Sequence, residues 1–231
     1  MKICGLQKTT LLDYPGHVAA TIFLGGCNFR CPFCHNSELL GSDAEEMMSR
    51  EELFSFLRKR KPILEGVCIT GGEPTLSTDL EEFILDIRRL GYLVKLDTNG
   101  LKPDVLKNLV RNGLLDYVAM DIKAGRENYS RVAGVPGLPM EKIEESAAFL
   151  LEGNVPYEFR TTVVKELHSR NDFLDIARWL AGCTNYYLQN YVDSEQVLIP
   201  GFSSCSKEEL LHFADILKPF MGNVSLRGID Y

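Results

Sequence analysis

The sequence lacks the features of membrane proteins, multidomain chains and nucleic-acid-binding proteins. It contains no run of about twenty apolar residues, so it predicts no membrane-spanning helix. No Pro/Ser-rich linker or low-complexity run divides its 231 residues, and we therefore expect one domain around one core. The net charge at pH 7 is −7, whereas nucleic-acid-binding proteins carry a basic field, so no nucleic-acid partner is expected.

The beginning of the sequence also lacks the pattern of a secretory leader. Met1–Gly5 is followed closely by polar Gln7–Thr10 rather than by an apolar segment. The chain has seven cysteines, and an odd number without a leader is typical of a reducing compartment. We therefore expect a cytoplasmic protein without membrane association, and a monomer when the chain is alone.

Three of the seven cysteines lie close together in one predicted loop. Cys27, Cys31 and Cys34 follow the apolar run Val18–Leu24 with the spacing C-x3-C-x2-C. Three thiolates from one loop can bind three irons of a [4Fe–4S] cluster, whereas clusters bound only by protein use four cysteines. The fourth iron is then open to an outside ligand, such as the amino and carboxylate groups of a small chelating molecule.

A zinc site is the alternative for this triplet. Structural zinc is completed to four ligands, usually from cysteine pairs. His35 is adjacent to Cys34, which makes simultaneous ligation by both residues awkward. The remaining cysteines form no second pair and are expected to fill space as small apolar residues: Cys4, Cys68, Cys183 and Cys205. The spacing therefore favours the cluster.

Three further segments place polar residues at the ends of apolar runs. Val67–Pro74 ends in two glycines, a carboxylate and a proline; glycines let a ligand approach the backbone, and Glu73 is an acceptor for an ammonium group. Leu96–Gly100 and Ala119–Lys123 also end in polar residues. Such residues are common in ordinary turns and helix caps. In a barrel of parallel strands, however, all three segments would meet at one face.

Apolar runs alternate with amphipathic segments along the whole chain. Strands are predicted at 18–24, 66–70, 92–96, 117–122, 158–164, 186–191 and 224–226, and helices at 49–61, 78–90, 103–112, 140–152, 171–181 and 207–218. This alternation predicts βα units and a parallel sheet of the α/β class. Periodicity alone fits both a doubly wound sheet and a barrel.

The cysteine motif, with Phe33 before its last cysteine, resembles the signature of the radical S-adenosylmethionine superfamily. Gly71–Pro74 resembles the GGEP motif of the same superfamily. The resemblance implies a partial (β/α)6 barrel of the TIM type, open on one side, with parallel strands and outer helices. We expect a single domain over residues 1–231, with a lead-in at 1–17, a barrel core at 18–195 that includes the cysteine loop at 27–34, and a C-terminal helix and strand at 196–231.

The resemblance also implies the cofactors, which are a [4Fe–4S] cluster bound by the three cysteines and S-adenosylmethionine. Phe33 is implied to lie against the adenine, and Glu73 near the methionine amino group. The residues implied to surround the carboxylate, where a monovalent cation is a further expected ligand, are Asp97, Thr98, Asp121 and Lys123. The residues implied to bind S-adenosylmethionine are Phe33, Gly71, Gly72, Glu73, Pro74, Asp97, Thr98, Asn99, Asp121, Ile122, Lys123, Arg160, Gln189 and Tyr191.

The late-strand residues of that set have a structural alternative. Arg160 either contacts the cofactor or the partner's peptide, or forms salt bridges at the barrel rim. Gln189 and Tyr191 are placed near the adenine only if the strand register allows it. The tyrosines of this strand are otherwise expected to pack in the core.

The turn Asp13–Gly16, together with Cys34–Asn36, resembles the activating proteins of anaerobic ribonucleoside-triphosphate reductases. Activators of pyruvate formate-lyase usually carry an arginine after this turn, where the present chain has His17 and Val18. Activators of other glycyl-radical enzymes often insert extra cysteine clusters, but no cysteine lies between residues 34 and 68. The resemblance therefore implies that a radical from S-adenosylmethionine abstracts a hydrogen atom from a backbone glycine of the reductase. Flavodoxin or ferredoxin is implied as the reductant of the cluster. The reaction requires no side chain as general acid or base.

Three alternatives remain open at the level of the sequence. The chain could activate another glycyl-radical enzyme, such as pyruvate formate-lyase, or it could be a radical enzyme that acts on a small molecule. It could also be a non-catalytic iron–sulfur or zinc protein, such as an electron carrier. Gly71–Pro74 and Asp97–Gly100 argue against that last class, because an electron carrier has no need of them.

Overall fold

The structure is a computed structural model that describes residues 1–41 and 43–229. Its eight strands form one sheet in which the order of the strands follows the chain. The strands are β1 (Ile3–Thr10), β2 (Ala19–Leu24), β3 (Gly66–Gly71), β4 (Leu93–Thr98), β5 (Tyr117–Asp121), β6 (Tyr157–Val163), β7 (Asn185–Asn190) and β8 (Asn223–Arg227).

Strands β2 to β8 run parallel to one another, whereas β1 pairs antiparallel with β2. The α-helices of the described residues are α1 (Arg50–Arg60), α2 (Leu80–Arg89), α3 (Pro103–Arg111), α4 (Tyr129–Ala133), α5 (Met140–Leu151), α6 (Arg170–Trp179) and α7 (Lys207–Leu217). Within the described residues, the edge strands β1 and β8 do not pair with each other. The predicted partial barrel, open on one side, is therefore confirmed.

The helices form where their sequences combine a cap with an apolar face. The Ser49 hydroxyl accepts a hydrogen bond from the Glu52 amide, and the Glu52 carboxylate accepts one from the Ser49 amide; this capping box starts α1. Helix α2 buries residues at helical spacing, which pack against the sheet: Leu80, Phe83, Ile84 and Ile87. Parallel strands connected in this way place all their carboxyl ends at one face.

Two elements were not predicted from the sequence. Strand β1 lies at the edge of the sheet, and Gln7, Lys8 and Thr9 are exposed on it, so it lacks the continuous apolar run of an inner strand. The segment 1–17, predicted as a lead-in, thus contributes a strand to the same sheet. Helix α4 has only five residues, which is too short to show a helical period.

The turn that follows β1 closes the amino-terminal end of the barrel. The Tyr14 side chain is 2% exposed. Its ring lies so near Gly66 that a Cβ added there would be 2.8 Å from it. Asp13 accepts a hydrogen bond of 2.5 Å from Thr21 on β2. Tyr14 of this turn thus fills the barrel interior at the end opposite the site described below.

Candidate active site

The cysteine loop leaves the carboxyl end of β2, and its three cysteines share one cavity. Cys27, Cys31 and Cys34 line a cavity of about 270 Å³ together with residues from the ends of β3 to β7. Cys31 is buried, and the other two are partly exposed. Three thiols that are spread along eight residues of sequence are thus brought to one wall of a pocket at the carboxyl face of the barrel.

Two glycines bring neighbouring segments against the cysteine loop. A Cβ added to Gly72 would lie 2.1 Å from the carbonyl oxygen of Gly26, and the amide of the next residue donates to that same oxygen at 2.8 Å. Gly134 ends α4 with φ +66°, and a Cβ there would lie 2.0 Å from the carbonyl oxygen of Arg30. The Arg30 amide donates to Ala133 at 2.9 Å. The loop is therefore held on both sides by backbone contacts that only glycine permits.

Burial disfavours the thiolate form of all three cysteines while no metal is bound. Burial raises the pKa of Cys27 to about 11 and that of Cys31 to about 12, and it also raises the pKa of Cys34. The Phe29 amide donates to the Cys27 sulfur at 3.4 Å. A bound metal deprotonates such thiols outright, so three thiols that line one cavity fit a cluster. Among the described residues, no three His, Cys, Asp or Glu side chains converge as the ligands of a single metal ion.

Glu73 is a fully buried carboxylate that ties the end of β3 to the end of β4. Its Oε1 accepts hydrogen bonds from the amide and hydroxyl of Thr75 and, at 2.7 Å, from the hydroxyl of Thr98. Its Oε2 accepts from the Asn99 amide at 2.6 Å. Burial raises the pKa of Glu73, and these donors oppose that shift. Glu73 therefore fixes the cavity wall as well as lining it.

A chain of alternating charges forms the floor of the cavity. Arg160 on β6 lies 3.1 Å from Asp97 and 2.9 Å from Asp121, so its guanidinium joins the ends of β4 and β5. Lys95, two residues before Asp97 on β4, forms an ion pair with Asp97. Lys123 lies 3.0 Å from Asp121. Burial alone would raise the pKa of Asp121, but Lys123 and Arg160 hold it below its usual range. Burial would lower the pKa of Lys123, yet Asp121 raises it, so this pair is charged at neutral pH.

Most of the residues implied to bind S-adenosylmethionine line this cavity. They are Phe33, Gly71, Gly72, Glu73, Asp97, Thr98, Asn99, Asp121, Lys123, Arg160 and Gln189. In the described part of the chain, Pro74, Ile122 and Tyr191 are buried beside the cavity without lining it. The Tyr191 hydroxyl donates to Asp193 at 2.9 Å, and the centre of its ring lies 5.3 Å from that of His35.

Some residues around the site were not predicted from the sequence. Thr70 and Thr162 line the cavity from the ends of β3 and β6. Lys95 is 1% exposed beneath Asp97, and Glu158 is likewise 1% exposed beneath Arg160. The signal that could have found these two is position: each lies two residues before a predicted site residue on the same strand, and therefore on the same face. Lys95 pairs with Asp97 on its own strand, whereas Glu158 pairs with Arg227 on β8, and a local pattern does not show that second pair.

The residues that form this site also lie within a match to a known protein family. A sequence profile of the radical SAM superfamily matches residues 21–180, which include the cysteine loop, Glu73 and the charged floor. The chain belongs to the radical SAM superfamily. Its cofactors are therefore a [4Fe–4S] cluster and S-adenosylmethionine, and it is an enzyme.

Two proteins of similar sequence align with different lengths of this radical SAM protein. A protein of Methanocaldococcus jannaschii named "Putative glycyl-radical enzyme activating enzyme" is 32% identical over 243 residues, covering 99% of this chain and 96% of that protein. A "Probable GTP 3′,8-cyclase" of Saccharolobus islandicus is 34% identical over 113 residues, covering 47% of this chain and 36% of that protein. Only the first alignment extends over the whole barrel.

Solved structures share the fold. SuiB of Streptococcus suis matches with a TM-score of 0.70 at 15% identity, over 90% of this chain and 48% of SuiB. The chain thus spans about half the length of SuiB. A domain of the pyruvate-formate lyase-activating enzyme of Bacteroides vulgatus matches with a TM-score of 0.57 at 20% identity, over 71% of this chain and 99% of that domain. At these identities the likeness shows the fold alone. No helix of the described residues is long and apolar enough to cross a membrane.

Proposed function

We propose that this chain activates a glycyl-radical enzyme by abstracting a hydrogen atom from a backbone glycine of that protein. The observation that carries the proposal is the similarity to the Methanocaldococcus jannaschii protein named as such an activating enzyme, because it extends over 99% of this chain at 32% identity. The open side of the barrel supports it, because a protein segment needs a wide approach to a buried cavity.

In this proposal, different residues of the cavity bind the cluster and S-adenosylmethionine. Cys27, Cys31 and Cys34 hold the cluster, and Phe33 packs against the adenine. When bound, the reduced cluster and S-adenosylmethionine supply a one-electron cleavage that yields methionine and a 5′-deoxyadenosyl radical. The protein's part is to hold the reactive carbon against the target and to exclude competing reactions.

The methionine end of S-adenosylmethionine carries both charges, and the cavity offers groups of both signs. Glu73 Oε2 accepts one hydrogen bond from the described residues, and a carboxylate oxygen can accept a second, here from the amino group. Lys123 has three N–H donors, of which Asp121 takes one, so the ammonium can also bind the carboxylate. Asp121 can hold a monovalent cation beside it. Arg160 and Gln189 complete the wall of this subsite.

The target we propose first is anaerobic ribonucleoside-triphosphate reductase. The turn Asp13–Gly16 and the sequence Cys34–Asn36 resemble its activators, and the segment between Cys34 and Cys68 lacks the additional cysteine clusters of many other activators. We further propose that flavodoxin or ferredoxin supplies the electron and that the reaction takes place in the cytoplasm, since all seven cysteines are free thiols.

A small-molecule substrate is less well supported. The similarity to the GTP 3′,8-cyclase covers 47% of this chain, so it reports the shared barrel motifs rather than a whole enzyme. Pyruvate formate-lyase remains the second candidate target, and it is tested in the same experiment as the first.

The experiment is to reconstitute the protein anaerobically with iron and sulfide, to reduce it with dithionite, and to add S-adenosylmethionine with either candidate target. We expect 5′-deoxyadenosine production to rise with anaerobic ribonucleotide reductase, and a glycyl doublet to appear on it by electron paramagnetic resonance. A reductase variant with alanine at its radical glycine is the control and should give no doublet. A doublet on pyruvate formate-lyase alone would change the target, and cleavage without a doublet on either protein would contradict both assignments.

A further inference from the structure

The segment Asp121–Lys123 leads from the last residue of β5 out of the sheet, and buried side chains hold its backbone. Each of its three carbonyl oxygens accepts a hydrogen bond from one of them, in chain order Tyr129 at 3.2 Å, Thr161 at 2.7 Å and His168 at 2.7 Å. These donors come from α4, from β6 and from the turn that precedes α6. Three separate elements therefore converge on one short piece of backbone at the carboxyl face of the barrel.

The imidazole of His168 is held between two backbone groups. The Val164 amide lies 3.0 Å from Nδ1, and an amide can only donate, so Nδ1 accepts and the ring proton is on Nε2. Nε2 then donates to the carbonyl oxygen of Lys123 at 2.7 Å. His168 is 7% exposed, and the centre of its ring lies 6.1 Å from that of Phe173. The neutral ring therefore ties the turn after β6 to the backbone of Lys123.

His168 reaches Lys123 from outside the active-site cavity. Within the described residues it does not line that cavity, but it lines a second cavity of about 540 Å³ beside α4 and α6, together with Asn128, Arg131 and Asp172. Lys123 is in contact with both sides, because it lines the active-site cavity while its carbonyl oxygen binds His168. His168 thus contacts a residue of the site without contacting the space that a cofactor would fill.

Lys123 depends on such support because it has left the sheet. β5 ends at Asp121, so the carbonyl oxygen of Lys123 lies beyond the ladder that joins β5 to β6. A lysine carries its charge on a long flexible stem. A group that binds a charged ligand must nevertheless be held within about 0.5 Å of its productive position by partners that lock it. Asp121 holds the ammonium of Lys123 at 3.0 Å, and His168 holds its backbone.

We propose that His168 is a positioning residue for the carboxylate of S-adenosylmethionine, on which it acts through the backbone of Lys123. The inference rests on the role proposed above for Lys123, but not on the identity of the glycyl-radical target. Without the hydrogen bond from Nε2, the peptide unit that follows Lys123 can rotate, and the ammonium loses its fixed distance from the carboxylate. The cofactor then binds more weakly at that end alone.

The other two donors act on different atoms. Tyr129 and Thr161 hold the carbonyl oxygens of the two residues before Lys123, not that of Lys123 itself. The Thr161 hydroxyl also lies 2.5 Å from the hydroxyl of Tyr186, so it belongs to a hydrogen-bonded group in the core. His168 is therefore the residue whose loss frees the Lys123 carbonyl while the end of β5 stays in place.

The test separates the two hydrogen bonds of the His168 ring. His168→Asn keeps an acceptor for the Val164 amide but has no donor at the position of Nε2, whereas His168→Gln extends an NH2 donor to that position. Tyr92→Phe is the matched control, because it also removes a buried donor that lies 2.7 Å from a carbonyl oxygen, that of Leu57. Tyr92 immediately precedes β4 and so lies at the opposite end of the barrel.

Each variant is reconstituted, its iron and sulfide are determined, and its binding of two ligands is measured by equilibrium dialysis. One ligand is S-adenosylmethionine, and the other is its decarboxylated analogue, which keeps the amino group and lacks the carboxylate. Both are measured on the same preparation, so the ratio of the two dissociation constants does not depend on how much cluster was loaded. Urea unfolding of each apoprotein gives the loss of stability separately.

We expect His168→Asn to raise the dissociation constant of S-adenosylmethionine about tenfold, because a charge-assisted hydrogen bond to the carboxylate is weakened. The constant of the decarboxylated analogue should stay within about twofold of wild type. His168→Gln should restore most of the lost affinity. Tyr92→Phe should lose stability in urea and bind both ligands like wild type. If His168→Asn does not fold, His168→Leu, which keeps apolar packing against Phe173, takes its place.

Lys123→Met tests whether His168 acts through Lys123. Lys123→Met alone should weaken S-adenosylmethionine binding, and adding His168→Asn to it should cause no further loss, because both changes remove the same contact. A further loss in the double variant would overturn the inference. So would unchanged affinity in His168→Asn, or an equal loss for S-adenosylmethionine and its decarboxylated analogue, which would show that His168 only stabilises the fold.

Failures of the proposed function give different results. Unchanged S-adenosylmethionine affinity in Lys123→Met would remove the role of Lys123 and, with it, the inference. A wrong choice of glycyl-radical target leaves every one of these dissociation constants as expected, because no target protein is present in the binding measurements.

Discussion

Arg227 binds both carboxylate oxygens of Glu158 inside the barrel, at 2.9 and 3.0 Å. Glu158 is 1% exposed, and the guanidinium of Arg160 lies 4.0 Å from one of its oxygens. Two arginines thus adjoin one buried carboxylate, but only Arg227 holds it in the bidentate geometry that makes such pairs strong. Arg160 remains bound to Asp97 and Asp121 at the cavity floor. Arg227 therefore keeps the floor in place without lining the cavity itself.

Replacing Arg227 by methionine should weaken S-adenosylmethionine binding. Glu158 would then be a buried carboxylate without its partner, and Arg160 is the nearest cation that can turn toward it. Breaking a buried pair by removing one partner costs about 3 kcal/mol, which should appear in urea unfolding of the apoprotein. The dissociation constant of S-adenosylmethionine, measured by equilibrium dialysis on reconstituted protein, should rise at least about tenfold, the equivalent of 1.4 kcal/mol.

The control for this prediction is the double variant Arg227→Met with Glu158→Gln. Neutralising Glu158 removes the group that competes for Arg160, so the double variant should recover most of the lost affinity. Equal affinity loss in the single and double variants would contradict the competition between the two arginines.

Replacing Glu73 by glutamine should destabilise the cavity wall although the side chain keeps its size. The Glu73 carboxylate accepts hydrogen bonds on both oxygens. The NH2 group of glutamine can only donate, so it would lie against another donor, either the Asn99 amide or the hydroxyls of Thr75 and Thr98. We expect a loss of about 2 kcal/mol in the free energy of unfolding, because a buried donor is left without an acceptor. Thr98→Val removes one of these bonds and should cost only about 1 kcal/mol. An equal cost for both variants would indicate that the bonds to Glu73 are weak.

Replacing Gly134 by alanine should impair loading of the cluster. Gly134 and Gly137 have nearly the same φ, +66° and +68°, so alanine is strained at both by about 1 kcal/mol. Only at Gly134 would the added Cβ meet backbone, 2.0 Å from the carbonyl oxygen of Arg30. Gly134→Ala should therefore give less iron and sulfide per chain after reconstitution, while Gly137→Ala should load like wild type. Similar loading by the two variants would show that the contact with Arg30 does not position Cys31.

His168 should make the stability of the apoprotein depend on pH below neutrality. Its Nδ1 accepts from the Val164 amide at 3.0 Å, and its Nε2 lies 2.7 Å from the Lys123 carbonyl oxygen, so the neutral ring fits both partners. Burial lowers its pKa, although these backbone contacts oppose the shift. Below the unfolded-state pKa of about 6.5 the unfolded chain binds a proton that the folded chain does not.

Stability should therefore fall as the pH falls below about 6.5, by up to about 1.4 kcal/mol per pH unit, until the lowered pKa of the folded state is reached. Urea unfolding of wild type and His168→Gln between pH 7 and pH 5 measures this as the difference between two slopes, because the other histidines are common to both proteins. Parallel slopes would show that His168 titrates equally in the folded and unfolded states.

The inner strands and the long helices could be predicted from the sequence because their periodicity reflects burial. Strands β2 to β8 are apolar runs between amphipathic helices, and the polar residues at their ends mark the carboxyl face. β1 could not be predicted in this way, because an edge strand with exposed Gln7 and Lys8 resembles a loop. The short α4 could not be predicted either, because five residues show no helical period. Its contact with the Arg30 amide is visible only in the structure.

The cysteines and the glycine-rich turn of the site could be predicted because their chemistry depends on local spacing. The barrel interior could not, since it depends on pairs that are distant in sequence: Arg227 and Glu158 are separated by 69 positions. A buried lysine such as Lys95 is stable in the core because Asp97, two positions later on the same strand, pairs with it. The alternation along a strand places both side chains on one face, but it does not show that the lysine is buried.

The central claim is that Cys27, Cys31 and Cys34 hold a cluster that cleaves S-adenosylmethionine. The most direct test is the yield of 5′-deoxyadenosine from reconstituted, dithionite-reduced protein, compared between wild type, Cys31→Ser and Cys205→Ser. Cys205 is as buried as Cys31, at 6% exposure, so it is a matched control. We predict product from wild type and Cys205→Ser, and none from Cys31→Ser. Wild-type protein with a full complement of iron and sulfide that forms no 5′-deoxyadenosine, or an equal yield from Cys31→Ser, would contradict the account.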